Sequence, residues 1–447
     1  MHDFASTTAT TSHHSAAATV ARGTNARTAI AIASNDGLCG HARGIQLSMK
    51  RTRRLFVCGT CNAAFLVLAS VRAHAVDPPA PFSFDASPLG TLQITGGADG
   101  YAYALTGAGD ETKKGLLGTS TSIGLQFLNG LVKLEKPEGP IQFTIEVGWV
   151  NSLALGTKPK APTAQQWSTG PIRSAYVTVV PTPNLTISAG QIGSLEGYES
   201  AVDWNNFNMM TTSLGEVEND QSVGVSVTYA YGRFAGTVVF GDGFDTNVWN
   251  YLQLFGSYSI NEHNQLTLFG ATNLGATGLS ARFYGSATRP YSSSTVASAG
   301  AANFVNSSVI GGYYAFTSGN LTLVPEVQYV WSAKNPKVGL TDYSSHFGVA
   351  FFANYQFAES PFSVGGWLQY FTSNGPETWF LNPGAQGFGV VVGPTWSPSW
   401  AKNHLFLRGE VGLLHLTNIG APNSVGYGSS GSGRNQATFL AEAGMLF

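Results

Sequence analysis

The chain has 447 residues, of which 11% are charged and 12% aromatic, and its mean hydropathy is only +0.04. Soluble domains carry about a quarter charged residues, and helical membrane proteins need apolar runs of about 20 residues, so neither class fits this composition. Low charge with 54 glycines indicates a transmembrane β-barrel, because strands that alternate between lipid-facing and lumen-facing residues average to neutral hydropathy.

The N-terminal residues indicate export rather than part of a fold. A basic stretch at 49–54 precedes an apolar stretch at 55–71, and Ala73-His74-Ala75 is a small-x-small cleavage site. We therefore assign 49–75 to a secretory signal peptide that is cut after Ala75. Residues 1–48 show no sustained periodicity, so we interpret them as an unstructured leader or as a mis-assigned translation start.

The mature protein is predicted to begin at Val76 and to lack cysteine, because every cysteine of the chain precedes the predicted cut. These cysteines are Cys39, Cys58 and Cys61. Intact-mass analysis of protein purified from outer membranes checks both statements. A mass that still includes Cys58 or Cys61 would contradict the assignment.

The predicted mature segment is acidic. It has 15 Lys and Arg against 23 Asp and Glu, a net charge of −8. The absence of a basic patch argues against a nucleic-acid partner. Its first part, 76–88, is rich in proline and is predicted to be a periplasmic lead-in, and 89–447 is predicted to form the barrel.

We count about sixteen strand-like segments from residue 89 onward, several of which alternate clearly with a period of two, whereas the first and fourteenth alternate more weakly. In one segment Phe143, Ile145 and Val147 are apolar, whereas Thr144 and Glu146 between them are polar. This period predicts strands with one lipid-facing side. Lipid cannot satisfy an open sheet edge, so such a sheet has to close.

The connections between these segments alternate strictly between short and long. Short connections have one to seven residues and long ones eight to 29. The long connections are 105–122, 151–171, 193–221, 242–249, 275–303, 332–343, 372–386 and 416–435. Short periplasmic turns and long outer loops are typical of an antiparallel up-and-down barrel, and an even strand number puts both termini on the periplasmic side.

The last segment, 436–447, alternates and ends on an aromatic residue. It resembles the closing strand of bacterial outer-membrane barrels. That resemblance implies that Phe447 is an assembly signal and that the barrel assembly machinery is a partner.

Three stretches resemble the putative β-barrel porin-2 (OmpL-like) family. The first runs from Gly190 to Ser200 and contains Gly197-Tyr198-Glu199, the Gly-Tyr-Glu of that family. The others are Val223-Gly224-Val225 and Asp242-Gly243-Phe244-Asp245, in which Asp242 replaces Asn and Phe244 replaces Trp. The resemblance implies a channel-like outer-membrane barrel and supplies no substrate.

The connection 193–221, called the acidic loop below, concentrates negative charge without any Lys or Arg. Its acidic residues are Glu196, Glu199, Asp203, Glu216, Glu218 and Asp220. Its apolar residues Trp204, Phe207, Met209 and Met210 suggest that it folds into the lumen, where acidic side chains at a constriction would favour cations. The alternative is a solvated surface loop.

Strand parity places further charges on the lumen side. They are Glu146, Glu326, Arg408, Glu410 and Glu442. A charge on the lipid face would cost about 2–4 kcal/mol at the bilayer midplane, so the lumen side is favoured. These charges either contact solutes or form a structural ion-pair network.

The sequence therefore predicts an integral outer-membrane porin, a passive diffusion channel for small hydrophilic solutes with a mild cation preference. Its other partners would be outer-membrane lipid and lipopolysaccharide, and its oligomeric state stays open. We predict no catalytic residue, metal or cofactor. The alternatives are a structural or adhesive barrel with partner-binding outer loops, and a barrel hydrolase in which His346 would act beside Ser344 or Ser345.

Overall fold

The computed structural model of the protein describes residues 76–160, 172–219, 221–279, 282–286, 289–295 and 301–447. The predicted leader and signal peptide, 1–75, lie outside the described residues. No helix in the described ranges combines the length and the apolar character that crossing a membrane requires.

Sixteen long strands form a closed antiparallel barrel. They are β1 (Thr91–Leu105), β2 (Ile123–Lys136), β3 (Ile141–Trp149), β4 (Ile172–Thr182), β5 (Leu185–Gly193), β6 (Gln221–Tyr231), β7 (Phe234–Asp242), β8 (Tyr251–Asn261), β9 (Asn264–Asn273), β10 (Ser307–Ser318), β11 (Leu321–Ser332), β12 (Ser344–Gln356), β13 (Phe362–Asn374), β14 (Gln386–Trp396), β15 (Leu405–Asn418) and β16 (Asn435–Leu446). Each pairs with the next strand, and β16 pairs with β1 to close the ring. The predicted sixteen-stranded barrel is confirmed.

The period of two sorts the side chains onto two faces. On β15, Leu407 and Val411 are each 40% exposed toward the lipid side, whereas Arg408 and Glu410 are each 3% exposed. Burying charge on the inner face keeps it away from hydrocarbon. The sequence pattern thus predicted the correct faces of β15.

The long connections contain short elements of their own. The connection after β9 holds a hairpin of Arg282–Ser286 with Arg289–Thr295 and a helical turn at Ala301–Val305. Two-residue strands at Leu153–Ala154 and Met210–Thr211 pair in parallel. Single 3₁₀ turns lie at Asp203–Asn205, Pro336–Val338 and Ser399–Ala401.

The closing seam uses both ends of the described chain. At the end of β16, the Phe447 N–H donates to the Gly96 carbonyl at 2.9 Å, and the Gly96 N–H donates back at 2.8 Å. Beyond this point a short strand, Phe82–Asp85, pairs with Thr91–Ile94 of β1. The predicted lead-in therefore contains a strand, which covers the edge of β1 that β16 does not reach.

Deleting Phe447 is expected to reduce the amount of inserted barrel. The deletion removes the last backbone pair of the seam and, with it, an aromatic ring that packs on Gly96. The measurement is heat-modifiable migration on gels of outer membranes, with Phe447→Tyr as the aromatic control. Insertion that equals the wild type in the deletion would argue against an assembly role.

Candidate functional site

The acidic loop lies inside the barrel. It connects Gly193 to Gln221, and its side chains Phe207, Met210 and Leu214 are buried in one apolar cluster with residues of the barrel wall. Apolar burial of this kind contributes about 1.5–3 kcal/mol per large side chain. Of the two readings of the loop, the inward-folded one agrees with the structure.

The loop turns into the lumen at Gly197. Gly197 has φ +70°, and a Cβ there would come 2.1 Å from Glu218 Oε1. The left-handed backbone favours glycine here, whereas the Glu218 carboxylate, the end of a flexible side chain, could move aside. The glycine of the Gly-Tyr-Glu motif thus permits the backbone conformation at which the loop turns inward.

Tyr198, the next residue, anchors the loop to the wall. Its N–H donates to Glu326 Oε1 at 3.0 Å. Its ring centroid lies 5.4 Å from that of Tyr313 and 5.2 Å from that of Phe352. The inward charge of Glu326 is therefore used to hold the loop.

Glu410 holds the middle of the loop in the same way. Its carboxylate accepts the N–H of Met209 at 2.5 Å and that of Met210 at 3.0 Å. The Trp367 indole donates to the Met210 carbonyl at 2.9 Å. Buried backbone groups of a loop need such partners, since each unsatisfied group costs about 1–3 kcal/mol.

A third anchor is ionic. Arg408 Nη1 lies 3.3 Å from Asp203 Oδ2 and 3.3 Å from Glu442 Oε2, with all three residues buried. The Asn129 amide donates to Asp99 at 3.1 Å and also to Asp203. Removing one partner of a buried pair costs about 3–5 kcal/mol, so this cluster fixes the loop firmly against the wall.

These anchors lie on the part of the wall that runs from β10 round to β2. A gap remains between the loop and the inner faces of β3, β4 and β5. We call these three inner faces the open arc. It is mostly polar: its inward polar residues are Gln142, Thr144, Glu146, Arg173, Ser174, Tyr176, Thr178, Thr186 and Ser188. A polar, partly exposed wall is typical of an aqueous lumen.

A cavity of about 250 Å³ lies between the open arc and the acidic loop. From the wall, Glu146, Arg173 and Ser174 line it. The loop contributes three carboxylates, which belong to Glu196, Glu199 and Glu218. The lining thus contains four carboxylates against one guanidinium, so its field is negative.

Glu199 differs from an ordinary solvated acid. Burial raises the pKa of its carboxyl to about 7, although the hydrogen bonds that its carboxylate accepts from Thr212 lower the pKa. The backbone N–H of Thr212 lies 3.1 Å from its oxygens, and the neighbouring Glu216 carboxylate raises its pKa further. Its charge therefore changes within the physiological range.

A family model described as "Putative beta-barrel porin-2, OmpL-like" matches residues 91–447. The chain belongs to this family. A comparison with curated proteins gave no match. The porin-2 family and the barrel together support an outer-membrane channel and point away from an enzyme.

Solved porins share this fold. The anion-selective porin from Comamonas acidovorans is 9% identical, and the two structures superpose with a TM-score of 0.54. The match covers 80% of this chain and 99% of the Comamonas acidovorans chain. OmpT of Vibrio cholerae is 12% identical, with coverages of 81% and 99% and a TM-score of 0.49. The channel DcaP of Acinetobacter baumannii is 13% identical, with coverages of 80% and 97% and a TM-score of 0.49. At 9% identity, the similarity to the Comamonas acidovorans porin shows a shared fold and gives no information about selectivity.

The site residues predicted for this porin-2 barrel divide into two groups. At the cavity lie Glu146, Glu196, Glu199 and Glu218, and Glu216 accepts a hydrogen bond from the cavity-lining Ser152 at 2.9 Å. Away from the cavity lie Glu326, Arg408, Glu410 and Glu442 on the wall behind the acidic loop, and Asp203 on the loop itself, all buried. Asp220 lies outside the described residues. The four wall residues were expected to line the lumen, but the loop covers them.

The sequence did not point to Arg173 as a lining residue. The pairing of β3 with β4 shifts register between Glu146 and Val147, so that Arg173 and the adjacent Ser174 both line the cavity. Such a bulge breaks the period of two, on which the face assignment depended. The sequence feature that could have indicated this lining residue is the arginine itself, which stands alone at the start of a predicted strand.

Other outer loops also pack into this porin-2 barrel. Leu117, Leu155, Trp379 and Tyr427 are each at most 3% exposed and belong to the same apolar cluster as the acidic loop. The Tyr427 hydroxyl ties two of these loops together by donating to the Gly156 carbonyl at 3.1 Å. The lumen is therefore partly filled, and the cavity at the open arc is narrow by comparison with an empty barrel of this size.

Proposed function

We propose that the protein is a passive diffusion channel for small hydrophilic solutes with a mild preference for cations. The observation that carries the proposal is the cavity between the open arc and the acidic loop, where four carboxylates oppose the one guanidinium of Arg173. A negative field in a narrow, low-dielectric passage concentrates cations without a stoichiometric site. The anion selectivity named for the Comamonas acidovorans porin belongs to that protein.

Single-channel recording in a planar bilayer tests this function. Purified wild-type protein is expected to give discrete conductance steps, and a potassium chloride gradient should give a reversal potential on the cation side. Reconstituted protein without conductance would contradict the channel. A reversal potential on the anion side would contradict the preference alone.

A structural or adhesive barrel is the second candidate, and the filled lumen favours it. Apolar residues of several outer loops, among them Leu155, Trp379 and Tyr427, pack against the acidic loop. If this packing closes the barrel, the outer loops would serve a binding partner instead. Conductance in the same recordings separates the two, because a closed barrel passes no current.

The cation preference is expected to increase as pH rises through about 7. Burial raises the pKa of Glu199 to about 7, so this cavity carboxyl is neutral below that pH and negative above it. Reversal potentials recorded between pH 5.5 and 8.5 measure the change. In Glu199→Gln the step near pH 7 should disappear, and a step that persists unchanged would assign the titration to another group.

A further inference from the structure

A second, smaller apolar cluster lies at the end of the barrel that carries the short turns. It consists of Val76, Phe406 and Leu446, which are 1%, 0% and 3% exposed, with the partly buried Trp204 packed against them. Phe406 and Leu446 belong to β15 and β16. Trp204 belongs to the acidic loop, so this cluster brings Val76, the first described residue, together with the wall and the loop.

The segment before the barrel is built to bring Val76 to this place. Its strand Phe82–Asp85 is held by β1 at the seam. Between the strand and Val76 lie Pro78, Pro79 and Pro81, which restrict the backbone and reduce the entropy lost on docking. Pro79 is buried.

The barrel wall provides space for the rings of this cluster. A Cβ on Gly97 would come 2.6 Å from a Leu446 methyl carbon and 3.2 Å from the Trp204 ring. A Cβ on Gly444 would come 2.2 Å from the Phe406 ring. The space that the Trp204 ring occupies therefore depends on Gly97 in β1, and Val76 belongs to the cluster against which this ring packs.

Trp204 lies in the turn Asp203–Asn205 of the acidic loop. On one side of it, Asp203 pairs with Arg408 at 3.3 Å, and on the other, Asn205 lines the cavity. A shift of Trp204 would therefore move a cavity-lining residue. The turn thus joins the apolar cluster at the N-terminal segment to the lining of the cavity.

We propose that Val76 is a positioning residue for the acidic loop. It completes the apolar cluster against which Trp204 packs, and it thereby controls the width of the passage from the periplasmic end of the barrel. This inference rests on the proposed channel function for its effect on current. The packing of Val76 in the cluster with Trp204 is independent of that function. The N-terminal segment thereby holds the acidic loop in position, in addition to pairing with β1 at the seam.

Thiol labelling tests the contact. Because the mature protein is predicted to lack cysteine, single cysteines are placed at Val76 or at the exposed neighbour Asp77 without other changes. Folded, heat-modifiable protein is treated with a small cationic methanethiosulfonate. Because a buried site reacts only through local opening, Val76→Cys is expected to react at least about tenfold more slowly than Asp77→Cys. Equal rates would overturn the proposal.

Displacement of the loop is tested with a third site. Asn205→Cys is labelled in the wild-type background and together with Val76→Asp or the conservative Val76→Ile. The acidic side chain should expose the turn and raise the reaction rate several-fold, whereas isoleucine should preserve the wild-type rate. An unchanged rate in the Val76→Asp background would overturn the positioning role.

Current recordings complete the test. Val76→Asp is expected to increase open-channel noise and mean conductance, Val76→Ile to behave like the wild type, and Asp77→Ala to have no effect. Wild-type conductance and noise in Val76→Asp would overturn the inference. A wild type without any current would instead overturn the proposed function, and the two labelling results would still decide the position of the loop.

Discussion

Replacing residues 195–220 with a short glycine-serine linker is expected to raise single-channel conductance several-fold. The ends of the linker are adjacent, because β5 and β6 pair directly, with Gly193 opposite Gln221. Without the acidic loop a sixteen-stranded barrel encloses a wide aqueous lumen. The buried acceptors Glu326 and Glu410 would lose their loop partners but regain water, so the barrel itself should persist.

The control is a deletion at the tip of another outer loop, Ser429–Ser432, which lies away from the cavity lining. It should leave conductance unchanged. Heat-modifiable migration shows whether each variant is folded. If removing the acidic loop leaves both conductance and selectivity at wild-type values, the conducting path does not pass this loop.

Neutralising the cavity carboxylates is expected to have the second-largest effect. In the triple variant Glu146→Gln, Glu199→Gln and Glu218→Gln, three of the four lining carboxylates disappear, while Arg173 remains. A unit charge about 7 Å away in water contributes about 0.6 kcal/mol, roughly threefold in local cation concentration. The reversal potential should therefore move to zero or to the anion side.

Salt dependence strengthens this test. The Debye length is about 30 Å at 0.01 M and about 10 Å at 0.1 M, so the difference between wild type and variant should be larger at low salt. Glu262→Gln is a suitable control, since the side chain of Glu262 is 86% exposed in a short turn. A triple variant with the wild-type reversal potential at both salt concentrations would show that these residues do not control selectivity.

The fold could be read from the sequence because it depends on local periodicity and on connection length. Leu407 and Arg408 fall on opposite faces, as their alternation predicts. Phe447 pairs at the seam, as expected of a closing strand. Both features follow from backbone geometry, which a period of two reports directly.

The site was predictable only in part, because its geometry depends on where one loop runs. Parity placed Glu326 and Glu410 on the inner face, but it contains no information about the loop N–H groups that occupy their carboxylates. Arg173 was missed because a bulge reverses parity at that point. The apolar cluster of Val76, Phe406 and Leu446 with Trp204 joins residues far apart in the chain, and no local pattern reports such packing.

The most direct test of the central claim is modification of the passage during a recording. Single cysteines are placed at Ser174 on the open arc or at Gln328, which is 1% exposed and donates to the Leu214 carbonyl behind the acidic loop. Both are made without other changes, because the mature protein is predicted to lack cysteine. A passage between the open arc and the loop predicts stepwise loss of current when a methanethiosulfonate reacts at Ser174→Cys and no change at Gln328→Cys. Loss of current at Gln328→Cys, with none at Ser174→Cys, would contradict it.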